Sequence, residues 1–154
     1  MNFFSLLVFA AVSFAAPKAA VQPGKDFKAV PTEDGRKVCA GSLDRFVMEN
    51  EKAKNLKKPD LEFITESCVA RHKGAVEKCK KTIADKKVSL AKAITDKKEL
   101  ENQIQSSLMP EQLACLAKSE QGAADNVKAL GTLYVEGKGA KAKSTVEGWK
   151  KEAK

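Results

Sequence analysis

The side chains that could carry chemistry are four cysteines (Cys39, Cys68, Cys79 and Cys115) and one histidine, His72. A zinc site would need cysteines two to four residues apart with histidine partners. The spacings here are 28, 10 and 35 intervening residues. A Cys/His nucleophile needs a free thiol, which an even number of cysteines disfavours. We therefore predict no metal, no cofactor and no catalytic residue, and we interpret His72 as a partly buried spacer beside an apolar stripe.

Four cysteines in an exported chain predict two disulfides, with three connectivities open. If one helix runs through Gly74, Cys68 and Cys79 share a face but lie ~16 Å apart. A disulfide needs Cα atoms within ~7 Å, so these two would instead bond to Cys39 and Cys115. If the chain turns at Gly74, Cys68–Cys79 and Cys39–Cys115 become the natural pairs. The apolar stripe continues past Gly74, which favours the first arrangement.

The first residues carry the pattern of an export signal. Residues 3–16 are uncharged and mostly apolar, and Ser13 and Ala15 fit the small-x-small rule for cleavage after Ala15. The apolar run is shorter than the roughly 20 residues that span a bilayer. No second such run follows, so the mature chain should have no transmembrane segment. The pattern predicts a signal peptide at 1–15 and a secreted, extracellular protein.

The periodicity of the mature chain is helical. Residues 16–38 are rich in Pro and Gly without an apolar period, and we predict a flexible leader there. Ser42 is the expected N-cap of the first helix, and Asp60 that of a long second helix. This second helix should reach about residue 106, ~70 Å in all, unless it breaks near Gly74 or Asp85.

A further helix is expected from Pro110, because proline suits a first turn. Apolar residues then recur at heptad spacing until Gly137, and 138–154 is predicted to be a basic C-terminal tail. The expected fold is all-α, a small disulfide-linked bundle of three to four helices in 39–137, one of them long, behind a cleaved signal peptide.

Two non-enzymatic functions follow from this body. The first is a carrier or binding module for a small apolar ligand. The side chains expected to line its site are Phe46, Phe63, Ile64, Ile83, Leu90, Leu113, Leu116 and Leu130. Carboxylates are plentiful, but they alternate with lysines on the predicted helices, so we interpret them as ion-pair partners and not as an acid/base pair.

The second hypothesis is a Lys-rich interaction protein or effector, and it rests on a formal net charge of +8 from 28 Lys and Arg against 20 Asp and Glu. Nearly all of the basic residues are lysines, which attract anions diffusely, and an anionic extracellular surface, glycan or protein is the expected partner. The scarcity of aromatic residues and arginines disfavours a nucleic acid. The sequence does not fix the oligomeric state. The expected contacts are Lys78, Lys80, Lys81, Lys86, Lys87, Lys97, Lys98, Lys141 and Lys143.

Overall fold

The structure, a computed structural model, describes residues 31–154. The predicted signal peptide and most of the predicted leader lie outside the described residues. The described part is helical throughout and holds two disulfides, which confirms the all-α, disulfide-linked fold class. In chain order the elements are α1 (Gly35–Glu49), a 3-10 turn (Glu51–Asn55), α2 (Lys58–Ala93), α3 (Lys97–Gln103), a π-helical turn (Ile104–Leu108), α4 (Met109–Val135) and α5 (Gly139–Glu152).

Helix α1 begins seven residues earlier than Ser42, which lies inside it. Its N-cap is Asp34, whose side chain accepts hydrogen bonds from the backbone N–H groups of Arg36 (3.1 Å) and Lys37 (3.2 Å). Residues 35–38, assigned to the leader from the sequence, are therefore helical. Just before them, the backbone N–H of Thr32 donates to a carboxylate oxygen of α4 at 2.7 Å.

Helix α2 is a single unbroken helix of 36 residues. It is capped by Lys57 instead of Asp60, with Pro59 in its first turn, and it passes through Gly74 and Asp85 without a break. The expected end near residue 106 was wrong, because the helix ends at Ala93. The reason is a capping interaction that the sequence analysis missed: the side chain of Asp96 accepts the N–H of Glu99 at 2.8 Å and begins a new helix.

A second long helix follows, because α3, the π-helical turn and α4 form one continuous helix of 39 residues. Pro110 lies just past the π-helical turn. A proline has no N–H and its ring crowds the preceding turn, and the wider turn accommodates it. The N–H of Met109 accordingly donates to the carbonyl of Ile104, five residues back. Gly137, with a φ of 74°, follows the end of α4, as expected.

The core lies where α1, α2 and α4 pack together, with α5 covering α4 and α2. Helix α5 replaces the basic tail expected at 138–154, because Ala142 and Val146 bury one of its faces. The fully buried cluster consists of Cys39, Leu43, Ile64, Cys68, Ala123, Val127, Leu130, Ala142 and Val146.

Candidate binding site

The two disulfides hold the three core helices together. Cys39–Cys68 joins α1 to α2, and Cys79–Cys115 joins α2 to α4, each with Cα atoms 5.9 Å apart. These pairings confirm the arrangement in which the helix runs through Gly74 and its two cysteines bond to flanking helices. All four sulfurs are bonded, so no cysteine is a nucleophile in this state.

The eight side chains expected to line an apolar ligand site are spread over the interior and the surface. Ile64 and Leu130 belong to the buried cluster, and Phe46 and Phe63 pack against it. The other four are Ile83 and Leu116, which are buried, Leu90, which is half-buried, and Leu113, which is 46 % exposed. None of the eight lines either of the two clefts described below. The carrier hypothesis stays a prediction.

The nine lysines expected to contact an anionic partner are all exposed. Lys80 pairs with Glu33, and Lys86 with Glu111. Among residues 31–154 the other seven have no carboxylate within ion-pair distance. The arginines differ, because all three pair: Arg36 with Glu66, Arg45 with Glu49 and Arg71 with Glu152. Within the described chain, the unpaired strong cations are thus lysines.

These lysines concentrate in the second half of α2. Residues 73–92, called here the basic half of α2, contain seven lysines and two acidic residues, Glu77 and Asp85. At 100° per residue, Lys78, Lys81 and Lys92 lie on one side of the helix. The opposite side of α2 is buried against its neighbours. Lys73, Lys92 and, on α4, Lys118 were not among the expected contacts. The place of Lys118 beside α2 depends on how the two helices pack, which the sequence does not show.

A cleft of ≈ 460 Å³ lies between α2 and α4 and is called here the α2/α4 cleft. Its cations are Arg71, Lys78 and Lys118, and its one carboxylate is Asp125, which accepts a hydrogen bond from Gln121 at 3.1 Å. The remaining lining includes His72, Ala75, Thr82, Ser119, Gly122, Ala123, Asn126 and the Cys79–Cys115 disulfide.

A second cleft of ≈ 380 Å³ lies between the start of α1 and α2. Its charges are mixed, because Glu33, Asp34 and Glu77 line it together with Arg36, Lys73 and Lys80. Within this cleft Glu33 already pairs with Lys80. The surplus of positive charge therefore lies in the α2/α4 cleft.

His72 lines both clefts. It is only 2 % exposed, so the expectation of a partly buried spacer was wrong in degree. Neither Nδ1 nor Nε2 has a hydrogen-bond partner in the described structure. A Cβ on Gly35 would stand 3.0 Å from Nδ1, so the first turn of α1 closes tightly over the ring. The amphipathic pattern of the sequence placed His72 near the apolar stripe of α2, but it could not show that the two ring nitrogens would lack hydrogen-bond partners.

Within residues 31–154, Tyr134 carries the other buried side-chain group without a hydrogen-bond partner, its hydroxyl. Its ring meets that of Phe63 edge to face, with centroids 6.0 Å apart, and its hydroxyl is buried and unbonded. Burial raises the pKa of Tyr134 above the ordinary value of 10.0, and the negative charge of Asp60 adds to the shift. This tyrosine lies on the core side of α4, away from the α2/α4 cleft. Its raised pKa therefore reflects packing in the core and not a binding site.

No three His, Cys, Asp or Glu side chains of residues 31–154 group closely enough to hold a metal ion. No helix in that range is both long and apolar enough to cross a bilayer.

No protein-family model, curated protein or solved structure matches this chain.

Proposed function

We propose that this protein is a non-enzymatic, extracellular interaction protein that binds an acidic glycan chain along the basic half of α2. The observation that carries the proposal is the set of exposed lysines there, Lys73, Lys78, Lys81, Lys87 and Lys92, which pair with no carboxylate of the described chain. The two disulfides are compatible with an oxidising, extracellular setting.

The shape of this surface favours a linear polyanion. Lys78 and Lys92 are 14 residues apart, which is about 21 Å along the helix axis at 1.5 Å per residue. Lysine is a hydrated point charge without the planar fork that reads one phosphate or carboxylate. A row of such charges attracts repeated negative groups without demanding one exact geometry.

The surroundings of the lysines favour a glycan over a lipid surface or a nucleic acid. A membrane-binding helix inserts an apolar face between lipids, but the apolar face of α2 is buried against α1 and α4 as far as Ile83, and beyond it Val88 is a single exposed large apolar side chain and not a face. Single-stranded nucleic acids stack on exposed aromatic rings. Phe46, Phe63, Tyr134 and Trp149 are instead packed against the core.

The test is the affinity for heparin, a sulfated polysaccharide, at 0.15 M salt. The variant Lys78→Gln/Lys81→Gln/Lys92→Gln should weaken binding about 10- to 100-fold, from three lost charge contacts of at most ~1 kcal/mol each. The matched control Lys37→Gln/Lys52→Gln/Lys57→Gln loses the same charge from exposed, unpaired lysines outside the basic half of α2. Equal losses in both variants, or binding to phosphatidylserine vesicles without binding to heparin, would overturn the proposal.

A further inference from the structure

The histidine in the α2/α4 cleft lacks the hydrogen bonds that its burial demands. His72 is 2 % exposed, and both ring nitrogens are without a hydrogen-bond partner among residues 31–154. Leaving a buried polar group unbonded is costly, and most such groups in folded proteins are satisfied. A neutral imidazole offers one N–H donor and one acceptor. Both nitrogens are also closed off from solvent, so a molecule bound in the cleft that the ring lines would gain this hydrogen bond once the ring turns towards it.

The charged side chains of the same cleft determine which sign of charge a bound molecule should carry. Lys78 and Lys118 project from facing helices and pair with no carboxylate of the described chain. Arg71, the third cation, is shared with Glu152 at 3.7 Å and stacks over Trp149 at 4.3 Å. The lone carboxylate, Asp125, is already engaged by Gln121. A hydrogen bond from a neutral amide leaves Asp125 negatively charged, so the cleft holds three cations against one carboxylate, and this net positive charge favours an anion.

The volume and the apolar lining of the cleft determine what size and kind of anion it can hold. The volume of ≈ 460 Å³ falls within the usual range of small-molecule sites. Ala75, Ala123 and the Cys79–Cys115 disulfide give the floor an apolar character. A Cβ on Gly122 would meet no atom within 4 Å, so the cleft is open above this glycine.

We propose that the α2/α4 cleft binds a small organic anion with an apolar body, such as an aliphatic or aromatic carboxylate. Lys78 and Lys118 attract its charged group, the imidazole of His72 supplies the hydrogen bond, and the apolar body lies on the disulfide and Ala75. This site shares Lys78 with the proposed glycan surface but differs from it in its ligand and its other residues: it holds a small ligand between two helices, whereas the glycan surface holds a polymer along one of them.

Two single-copy residues make the test direct. His72 is the only histidine and Trp149 the only tryptophan in the chain, so the imidazole carbon-bound proton signals in NMR and the indole fluorescence each report on one place. Sodium hexanoate and sodium benzoate should shift the His72 signals saturably at fixed pH. Movement of Arg71 towards the anion should also change the fluorescence of Trp149. Hexanol and inorganic phosphate, which offer only the apolar body or only the charge, should bind at least about tenfold more weakly.

Variants at two open glycines locate the effect. Gly122→Leu fills the cleft and should abolish the hexanoate-dependent shift. Gly41 lies on the exposed side of α1, and a Cβ there also meets nothing within 4 Å. Gly41→Leu should therefore leave the hexanoate-dependent shift intact. Lys118→Gln should weaken hexanoate binding while heparin binding persists, which separates this site from the proposed function. No saturable shift, an unchanged response in Gly122→Leu, or equal binding of hexanol or phosphate would overturn the proposal.

Discussion

The ring of Phe46 on α1 lies directly over Gly131 on α4. A Cβ built on Gly131 would stand 2.4 Å from Cε1 of Phe46 and 2.7 Å from its Cζ. No real side chain tolerates that distance, so the absence of a side chain at residue 131 is what lets the aromatic ring fill the space between the two helices. Close contact between α1 and α4 depends on this pair.

Gly131→Ala should therefore destabilise the protein by about 1–3 kcal/mol, the usual cost of overpacking a core. Equilibrium urea unfolding measures the change. Gly74→Ala is the matched control, because Gly74 is an exposed helical glycine whose Cβ meets nothing within 4 Å. It should stabilise by about 0.5–1 kcal/mol, since alanine favours the helix. If Gly131→Ala proved as stable as the parent, the packing of α1 on α4 would be wrong.

The start of α1 gives a second prediction. Asp34→Ala removes the acceptor for two backbone N–H groups and should cost about 1 kcal/mol in the free energy of unfolding. Ser42→Ala, at the position expected from sequence to be the cap, should change it by less than about 0.5 kcal/mol. The same urea experiment decides between them. A larger loss at Ser42 than at Asp34 would place the helix start where the sequence analysis put it.

The two disulfides should differ in what their removal costs. Both close loops of similar length, with sequence separations of 29 and 36, so chain entropy alone gives about 3.5–4 kcal/mol for each. Cys39 and Cys68 are 0 % exposed within the core, so Cys39→Ala/Cys68→Ala also disrupts packing. It should be less stable than Cys79→Ala/Cys115→Ala, whose Cys115 is half-buried. Thermal unfolding of the two double variants compares them, and the reverse order would contradict this view of the core.

The buried hydroxyl of Tyr134 should make the protein less stable at alkaline pH. Its folded-state pKa is raised above the ordinary value of 10.0, so its contribution to stability is complete below that pH and is lost as the pH rises through the folded pKa. It is the only tyrosine in the chain, so absorbance at alkaline pH follows its ionisation alone. The titration midpoint should exceed that of the unfolded protein. Above about pH 10, the free energy of unfolding of Tyr134→Phe should fall less than that of the parent. Equal falls in the two proteins would show that the hydroxyl is not buried.

The helical class and the exclusion of a Cys68–Cys79 bond were predictable because each depends on local periodicity, whereas the choice of Cys39 for Cys68 and of Cys115 for Cys79 depends on how the helices pack. The apolar stripe continued through Gly74, and an ~16 Å separation along one helix excluded a Cys68–Cys79 bond. Helix ends were harder, because several polar residues compete to cap. Asp34, and not Ser42, caps α1, and Asp96 begins a new helix although the apolar stripe continues. Each aspartate does so by accepting hydrogen bonds from backbone N–H groups two or three residues further along the chain.

The candidate sites could be predicted only in part for a different reason. Lysine exposure follows from composition, and all nine expected lysines are exposed. The presence of Lys78 and Lys118 in one cleft, however, depends on how α2 packs against α4, and the missing partners of His72 depend on three helices at once. Periodicity within one segment carries no information on such relationships.

The most direct test of the central claim is the salt dependence of heparin binding, measured by calorimetry from 0.05 to 1 M NaCl on the parent and on Lys78→Gln/Lys81→Gln/Lys92→Gln. If the basic half of α2 carries the contact, the logarithm of affinity falls linearly with the logarithm of salt concentration. By analogy with nucleic-acid polyanions, the variant should reduce that slope by about one for each lysine removed. An unchanged slope in the variant, or an affinity indifferent to salt, would contradict the account.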